Sequence, residues 1–271
     1  MSTRPSSVAS QSLPLLLELY DQHQRIEIEY PGLRKEVFPG LVRFTRPAPG
    51  MNFVLYSHLV GMDIDAVIEE QIAYFLPLGQ PFEWNVYDHD QPADLKERLE
   101  AHGFAPDDDP AAVMLLDVQE AAPVLLKPVS VEVRQLTSRE QLDDVVRLEQ
   151  QVWGGDFAWL KQRLGDHLEI PGYLSVYAAY VSGVPVCTGW VYFYLDRQFA
   201  GLFGGSTAPD YRGQGLYTAL IAVRVQQAIR RGYRYLTTGA SPMSRPILAR
   251  HGFRFLGYAC SLEFKRLEIS A

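Results

Sequence analysis

The stretch "RQFAGLFGGSTAPDYRGQGLYTALIAVRVQQAIR", residues 197–230, constrains the fold of this chain more than any other. A β-rich run ends in Gly204-Gly205-Ser206-Thr207 and turns at Ala208-Pro209. Past Gly213 and Gly215, apolar residues recur at Leu216, Leu220, Val223, Ala228 and Ile229, the spacing of an amphipathic helix. Glycine weakens a helix by about 1 kcal/mol relative to alanine, so two at a helix start need a reason. The first amides of a helix have no partners within it and sit at its positive end. Without Cβ atoms at 213 and 215, a pyrophosphate can approach them closely. A merely flexible loop is the plainer explanation, but Pro209 and Arg212 specify the turn more narrowly than looseness requires.

Two other phosphate-binding patterns fail on the residues. A Walker loop needs G-x-x-x-x-G-K-[ST], which does not occur. A dinucleotide fingerprint needs a third glycine where Thr218 stands, and an acidic strand end about twenty residues on, where Tyr235 stands.

Around this unit the C-terminal half reads as alternating elements. A strand at residues 131–136 precedes the helix "REQLDDVVRLEQQVW", with Ser138 as its cap and Gln141 as the capping-box partner. A second helix, "GGDFAWLKQRLGDHL", is capped by Asp156. The strands "YLSVYAAYV", "VPVCTGWVYFYL" and "RQFAGLFGGST" follow, turned at Ser182-Gly183 and Asp196-Arg197. After the glycine-headed helix come the strand "YRYLTTGA", the short helix "MSRPILARHG" and the strand material "FRFLGYACSLEFKR". The expected order is β-α-α-β-β-β-α-β-α-β.

The N-terminal half echoes this ending. "LEAHGF" (residues 99–104) and "LARHGF" (residues 248–253) share L-x-x-H-G-F, each closing a short helix after a strand and before another β-rich run. Each glycine suits the left-handed position after a helix, with the following Phe packing back, so His102 and His251 read as helix-stop residues. The two halves also differ in charge. Residues 1–125 hold 8 Lys and Arg against 20 Asp and Glu, a net of −12, and residues 126–271 carry a net of +5. With the proline-bearing stretch "DVQEAAPVLLKPVS" as a linker, the expected domains are 1–125 and 126–271. The acidic half argues against nucleic acid, and the basic half suits a small polyanion. The two cysteines, Cys187 and Cys260, are too few for a disulfide scaffold or a zinc cluster, so no metal is expected. No apolar run approaches a membrane span, and "MSTRPSSVASQS" lacks a secretory h-region and reads as a loose tail. A cytoplasmic protein is the expectation.

"STAPDYRGQGLYTALI" resembles the acyl-coenzyme A motif of the GNAT N-acetyltransferase superfamily, [Q/R]-x-x-G-x-[G/A] after a V-x-P-type turn. The resemblance covers residues from about 130 to 271, and its element order is also similar to that fold. It implies an α/β (α+β) chain of two GNAT-like domains, each a mixed, mostly antiparallel twisted sheet flanked by helices. The first would be a degenerate copy without the motif. By resemblance, Gly205, Ser206 and Thr207 line the pantetheine arm of acetyl-CoA on a splayed strand. The backbone of Arg212, Gly213, Gln214, Gly215, Leu216, Tyr217 and Thr218 cradles its phosphates. Tyr217 departs from the family's Gly or Ala, and its side chain is expected to point away from the phosphates. In the first half, "SHLVGMDIDAV" lacks the motif, and Asp63 and Asp65 put negative charge at the corresponding helix start, so no coenzyme A is expected there.

The implied reaction is acyl transfer, most simply acetyl transfer, to the amine of a small or amino-acid-like acceptor. Such transfer needs a deprotonated amine, a stabilised oxyanion and a proton for the leaving thiolate. A backbone amide at or near Gly205 suits the oxyanion. The family's usual tyrosine acid and asparagine fall on Leu248 and Ser241, and "YRYLTTGA" has no carboxylate. Ser241, Ser244, Tyr258, or a water held by Tyr192 or Tyr194, are substitutes with simpler structural readings, so no catalytic residue is assigned. Trp153, Phe157 and Trp159 border the acceptor site by resemblance, with core filling the simpler account. The alternative function is a sensor that binds an acyl-CoA or a metabolite without turnover. Aminoacyl transfer from a charged RNA is disfavoured by the acidic first half. Acceptor, acyl length and oligomeric state stay open.

Overall fold

The computed structural model describes residues 11–48, 50–195 and 197–265. Residues 1–10 of the expected tail and Asp196 of the expected turn lie outside the described residues. Two compact units form, one from the chain up to Pro110 with the segment from Ala259 on, the other Ala111–Tyr258. Among the described residues no helix is long and apolar enough to cross a membrane.

In the first unit, α1 (Leu13–Asp21) runs into a π-helical turn (Gln22–Ile26). Strands β1 (Arg34–Phe38), β2 (Leu41–Thr45) and β3 (Asn52–Ser57) pair antiparallel in sequence. Helix α2 (Ile64–Phe75) then crosses over to β4 (Phe82–Tyr87), which pairs with β3 in parallel. A short helix α3 (Leu95–Ala101) and strand β5 (Phe104–Pro106) follow. Phe75, Phe82, Trp84 and Phe104 form the centre of the core, with the Phe75 and Phe82 rings stacked 4.7 Å apart. Arg25 of the π-helical turn is also fully buried. Its guanidinium donates to both Asp90 carboxylate oxygens at 2.7 and 2.8 Å, to Asp21 at 2.9 Å and to the Leu55 carbonyl at 3.0 Å.

The second unit begins with β6 (Ala111–Asp117) and continues through β7 (Glu132–Leu136), α4 (Asp143–Trp153), α5 (Ala158–Leu168), β8 (Leu174–Val181), β9 (Val184–Phe193) and β10 (Phe199–Thr207). After it come α6 (Leu216–Arg230), β11 (Tyr235–Ala240), α7 (Arg245–Arg250) and the start of β12 (Arg254–Phe264). From β7 onward this is the expected order. The sheet runs β6-β11-β10-β9-β8-β7, antiparallel except between β10 and β11. A mixed α/β sheet flanked by helices is therefore present as expected.

The chain does not divide at residue 125. Leu125 is fully buried in the core of the second unit, and Gln226 of α6 donates to the carbonyls of Leu125 and Lys127 at 2.9 and 2.7 Å. The proline-bearing stretch thus folds as short 3-10 turns against α6 instead of serving as a free tether. The final strands also change places. β6, which follows the first "HGF", pairs with β11 of the second unit, and the end of β12, which follows the second, pairs with β4 and β5 of the first.

Two caps differ in detail from expectation. Gln141 accepts from the Thr137 and Ser138 amides at 2.8 and 3.1 Å, its half of the box, but a 3-10 turn (Glu140–Leu142) precedes α4. Asp156 accepts from Ala158 at 2.8 Å, so α5 starts after the paired glycines instead of on them. Glycines 103 and 252 take the left-handed conformation after their helices (φ +92° and +97°), as the shared motif requires.

Candidate functional site

The site is made where β10 parts from β11. Its ladder with β11 joins only Phe199, Ala200 and Gly201 to Tyr235, Leu236 and Thr237, and beyond them no ladder links the two strands. On the other side, pairing to β9 shifts between Phe203 and Ser206, a β-bulge. Gly204 turns that bulge at φ +60°, and a Cβ there would fall 1.8 Å from the Trp190 ring. A side chain is excluded on both conformational and steric grounds. Gly204→Ala is accordingly expected to destabilise the protein by about 2–3 kcal/mol, seen as a lowered urea midpoint at unchanged slope.

Arg224, on the buried face of α6, supports the bulge from below. It is 2% exposed, and its partners are backbone carbonyls: Leu220 at 2.9 Å, Phe203 at 3.2 Å and Trp190 at 3.3 Å. A Cβ at Gly189 would lie 2.9 Å from this guanidinium, so the strand above it is bare. Burial lowers the arginine's pKa, and the carbonyl dipoles substitute for the missing carboxylate.

The helix start that follows is open. Gly215 caps α6 at φ +80° with no side chain bonded to the first-turn amides, and a Cβ at Gly213 or Gly215 would meet nothing within 4 Å. Arg212 donates to the Thr207 carbonyl and Gln214 to that of Asp210, both at 3.2 Å, which sets the turn. A cavity of about 580 Å³ runs from this turn along the splayed strand. Its wall includes Gly205, Ser206, Thr207, Arg212, Gly213, Gly215, Leu216, Tyr217 and Thr218, all expected from the sequence, while Gln214 is not in it. Val152, Tyr211, Met243, Ile247, Arg250 and His251 join the wall without having been expected there, and Trp153, expected at the acceptor site by resemblance, is in it too. His251 stops α7, and its ring also bonds Thr218 at 3.1 Å.

Tyr217 does not point away as expected. A Cβ on Gly205 would lie 2.6 Å from its Cε2, so the ring rests against the bared strand. Burial raises its pKa. Leu248 is buried in the core and takes no part in the cavity, whereas Ser241 and Ser244 both line it, 3.2 Å apart at their hydroxyls. Tyr258 accepts from Arg245 at 2.6 Å, and the Tyr192 hydroxyl bonds His167 at 2.9 Å, so both are engaged elsewhere.

Sequence reasoning missed Glu149. This carboxylate of α4 is 4% exposed and accepts from Thr188 at 3.1 Å and Ser206 at 2.9 Å; Ser206 in turn accepts from the Trp153 indole at 2.9 Å. A buried chain of hydrogen bonds thus holds an indole that is 61% exposed at the cavity wall. Trp153 and Trp159 are both exposed, which replaces the core-filling expectation for them. Burial raises the Glu149 pKa despite its hydrogen bonds. An acid whose folded pKa lies above its unfolded one binds more protons when folded, so its contribution to stability declines as pH rises through that interval. Glu149→Gln should therefore gain thermal stability relative to wild type as pH is raised from about 4 to neutrality, read from melting curves of both proteins.

Residues 140–253 match the acetyltransferase (GNAT) family. No curated protein matches the chain. Among solved structures, a GCN5-related N-acetyltransferase from Kribbella flavida superposes with a TM-score of 0.67 at 17% identity, over 88% of this chain and 92% of that one. A functionally unknown conserved protein from Staphylococcus epidermidis gives 0.63 at 13% identity, over 88% and 96%. A tandem GNAT protein from the clavulanic acid biosynthesis pathway gives 0.58 at 14% identity, over 92% and 88%. These identities speak for the shared fold.

Proposed function

Since residues 140–253 match the acetyltransferase (GNAT) family, we propose that the chain is an acyl-CoA-dependent N-acyltransferase, using acetyl-CoA and a small amine or amino-acid-like acceptor. One observation carries the reading: an uncapped helix start with bare glycines and a strand stripped of its neighbour share one cavity. The α6 start suits a diphosphate, because its first amides are donors without side-chain partners at the positive end of a 15-residue helix. The unpaired edge of Gly205, Ser206 and Thr207 suits the amide-bearing arm of coenzyme A, which can pair with backbone groups as a strand would. Acetyl-CoA would supply the thioester. The chain supplies orientation, a backbone donor near the bulge for the carbonyl oxygen, and walls that exclude water.

At the acceptor end, the Trp153 face suits an ammonium or an apolar amine, attracted by the ring quadrupole. A sensor that binds without turnover remains the second reading, favoured by Leu248 and Ser241 at the positions where the resemblance expects an acid and an asparagine. Calorimetric titration with acetyl-CoA tests binding, and thiol release across an amine panel separates the two. Binding without thiol release for any amine selects the sensor, and no binding ends both.

We read the first unit as a second copy that does not take coenzyme A. Its β3-α2-β4 crossover is parallel, like β10-α6-β11. At the start of α2, however, the Asp63 carboxylate accepts from the Ala66 amide at 3.2 Å and so fills the place an anion would need.

A further inference from the structure

We propose that the acceptor is a single amine carried on a planar apolar body, and that Glu149 positions the indole on which this body stacks. The proposal deepens the acyltransferase reading above and, for the acceptor, rests on it. The Trp153 indole is held by its nitrogen edge. Ser206 of β10 and Thr188 of β9 are cross-strand partners, so their side chains share one face of the sheet and both meet Glu149 of α4. A carboxylate only accepts, an indole only donates, and the serine hydroxyl between them has one proton. Because that proton goes to Glu149 at 2.9 Å, the Ser206 oxygen is left to receive the Trp153 N–H, also at 2.9 Å. Each bond in the chain sets the direction of the next. With 61% of its surface exposed, the ring has little packing around it, and the bond to Ser206 sets where it stands.

The cavity wall decides what can rest on that ring. Val152 and Met243 share the wall with Trp153, and the permanent charges there are those of Arg212 and Arg250. Among the described residues the wall holds no carboxylate. Glu149 is turned to its two hydroxyls, and Asp156, just past Trp153 in sequence, caps α5. A second ammonium on the acceptor would meet two cations and no carboxylate to pair with, whereas a flat apolar group meets an aromatic face. The reacting amine itself must be neutral to attack, so the part that rests on the indole is the body that carries it. Ser206 also belongs to the β10 edge that suits the coenzyme A arm, which ties the ring to the strand beside which the thioester would lie.

The test measures thiol release from acetyl-CoA with phenethylamine and with spermidine, and the fluorine resonances of protein labelled with fluorotryptophan. Wild type should use phenethylamine with a kcat/KM at least about tenfold above that for spermidine. Trp153→Leu and Glu149→Leu should each raise the KM for phenethylamine roughly fivefold to twentyfold, with kcat and acetyl-CoA affinity within about twofold. Glu149→Gln should keep the wild-type KM, because its amide oxygen accepts from Ser206 while its amide nitrogen donates to Thr188. The resonance missing from Trp153→Leu identifies Trp153; it should move in Glu149→Leu and stay in place in Glu149→Gln. Melting curves check folding, and Ser206→Ala, which removes the indole's acceptor directly, takes the place of Glu149→Leu if that variant does not fold. An unmoved Trp153 resonance or an unchanged KM in Glu149→Leu overturns the positioning role. Equal or better use of spermidine, or an unchanged KM in Trp153→Leu, overturns the acceptor class. Both results leave the acyltransferase reading standing. Absence of thiol release with every amine removes that reading and the acceptor class together, and the resonance alone then decides the role of Glu149.

Discussion

Gly215→Glu lowers the affinity for acetyl-CoA at least about 100-fold, a loss near 2.7 kcal/mol, while the protein stays folded. The position is exposed with open space around it, so the added side chain meets no atoms, and its cost to the fold is the left-handed backbone, about 1–2 kcal/mol. The effect on binding comes from charge. A carboxylate at this cap accepts hydrogen bonds from the first amides of α6, as Asp63 does in α2, and repels a diphosphate as well. Gly215→Ala separates the causes: it carries the same backbone strain without the charge and should keep affinity within about tenfold. Calorimetry on the three proteins gives the answer. Equal affinities for wild type and Gly215→Glu would place the ligand away from this turn.

The second large effect lies far from that turn in sequence. Arg25→Ala should destabilise the first unit by about 3–5 kcal/mol, because it leaves the buried Asp90 carboxylate without the guanidinium that meets both its oxygens. The Tyr87 ring loses the cation 3.8 Å from its centre, which adds to the cost. In the double variant Arg25→Ala with Asp90→Asn, the loss should be smaller than the sum of the two single losses, since the second change removes the stranded charge. Urea melts of the four proteins complete the cycle. Additive losses would mean that the pair is not coupled.

The helix start and the turn before it were legible because their signals are local. Gly213, Gly215 and Pro209 each restrict their own backbone, so a few residues suffice. Glu149 and Arg224 were not read, though each leaves a trace. Glu149 falls on the apolar stripe of α4 with Val145 and Leu148, and Arg224 on that of α6 with Leu220, Ile221 and Val225. A charge inside a buried stripe must find partners, but theirs are on β9 and β10, tens of residues away, and sequence spacing does not reveal them. Tyr217 was placed by local helix geometry alone. Its actual direction follows from the absence of a side chain at Gly205, a fact about another strand. The strand changes at β6 and β12 were hidden for a similar reason. "AAVMLLDV" and "YACSLEF" both read as strands, and nothing in either names the sheet it joins.

That last feature bears on how the protein can be cut. A gene fragment ending at residue 125 would carry β6 without β11 and would lack the piece of β12 that borders β4 and β5. The remaining fragment would have the reverse deficiencies. Each would display an unsheathed strand edge, the kind of surface on which chains aggregate. Co-expressed, the two pieces hold each other's missing strands, so split halves of this protein should be recovered together from a cell in which either alone is insoluble.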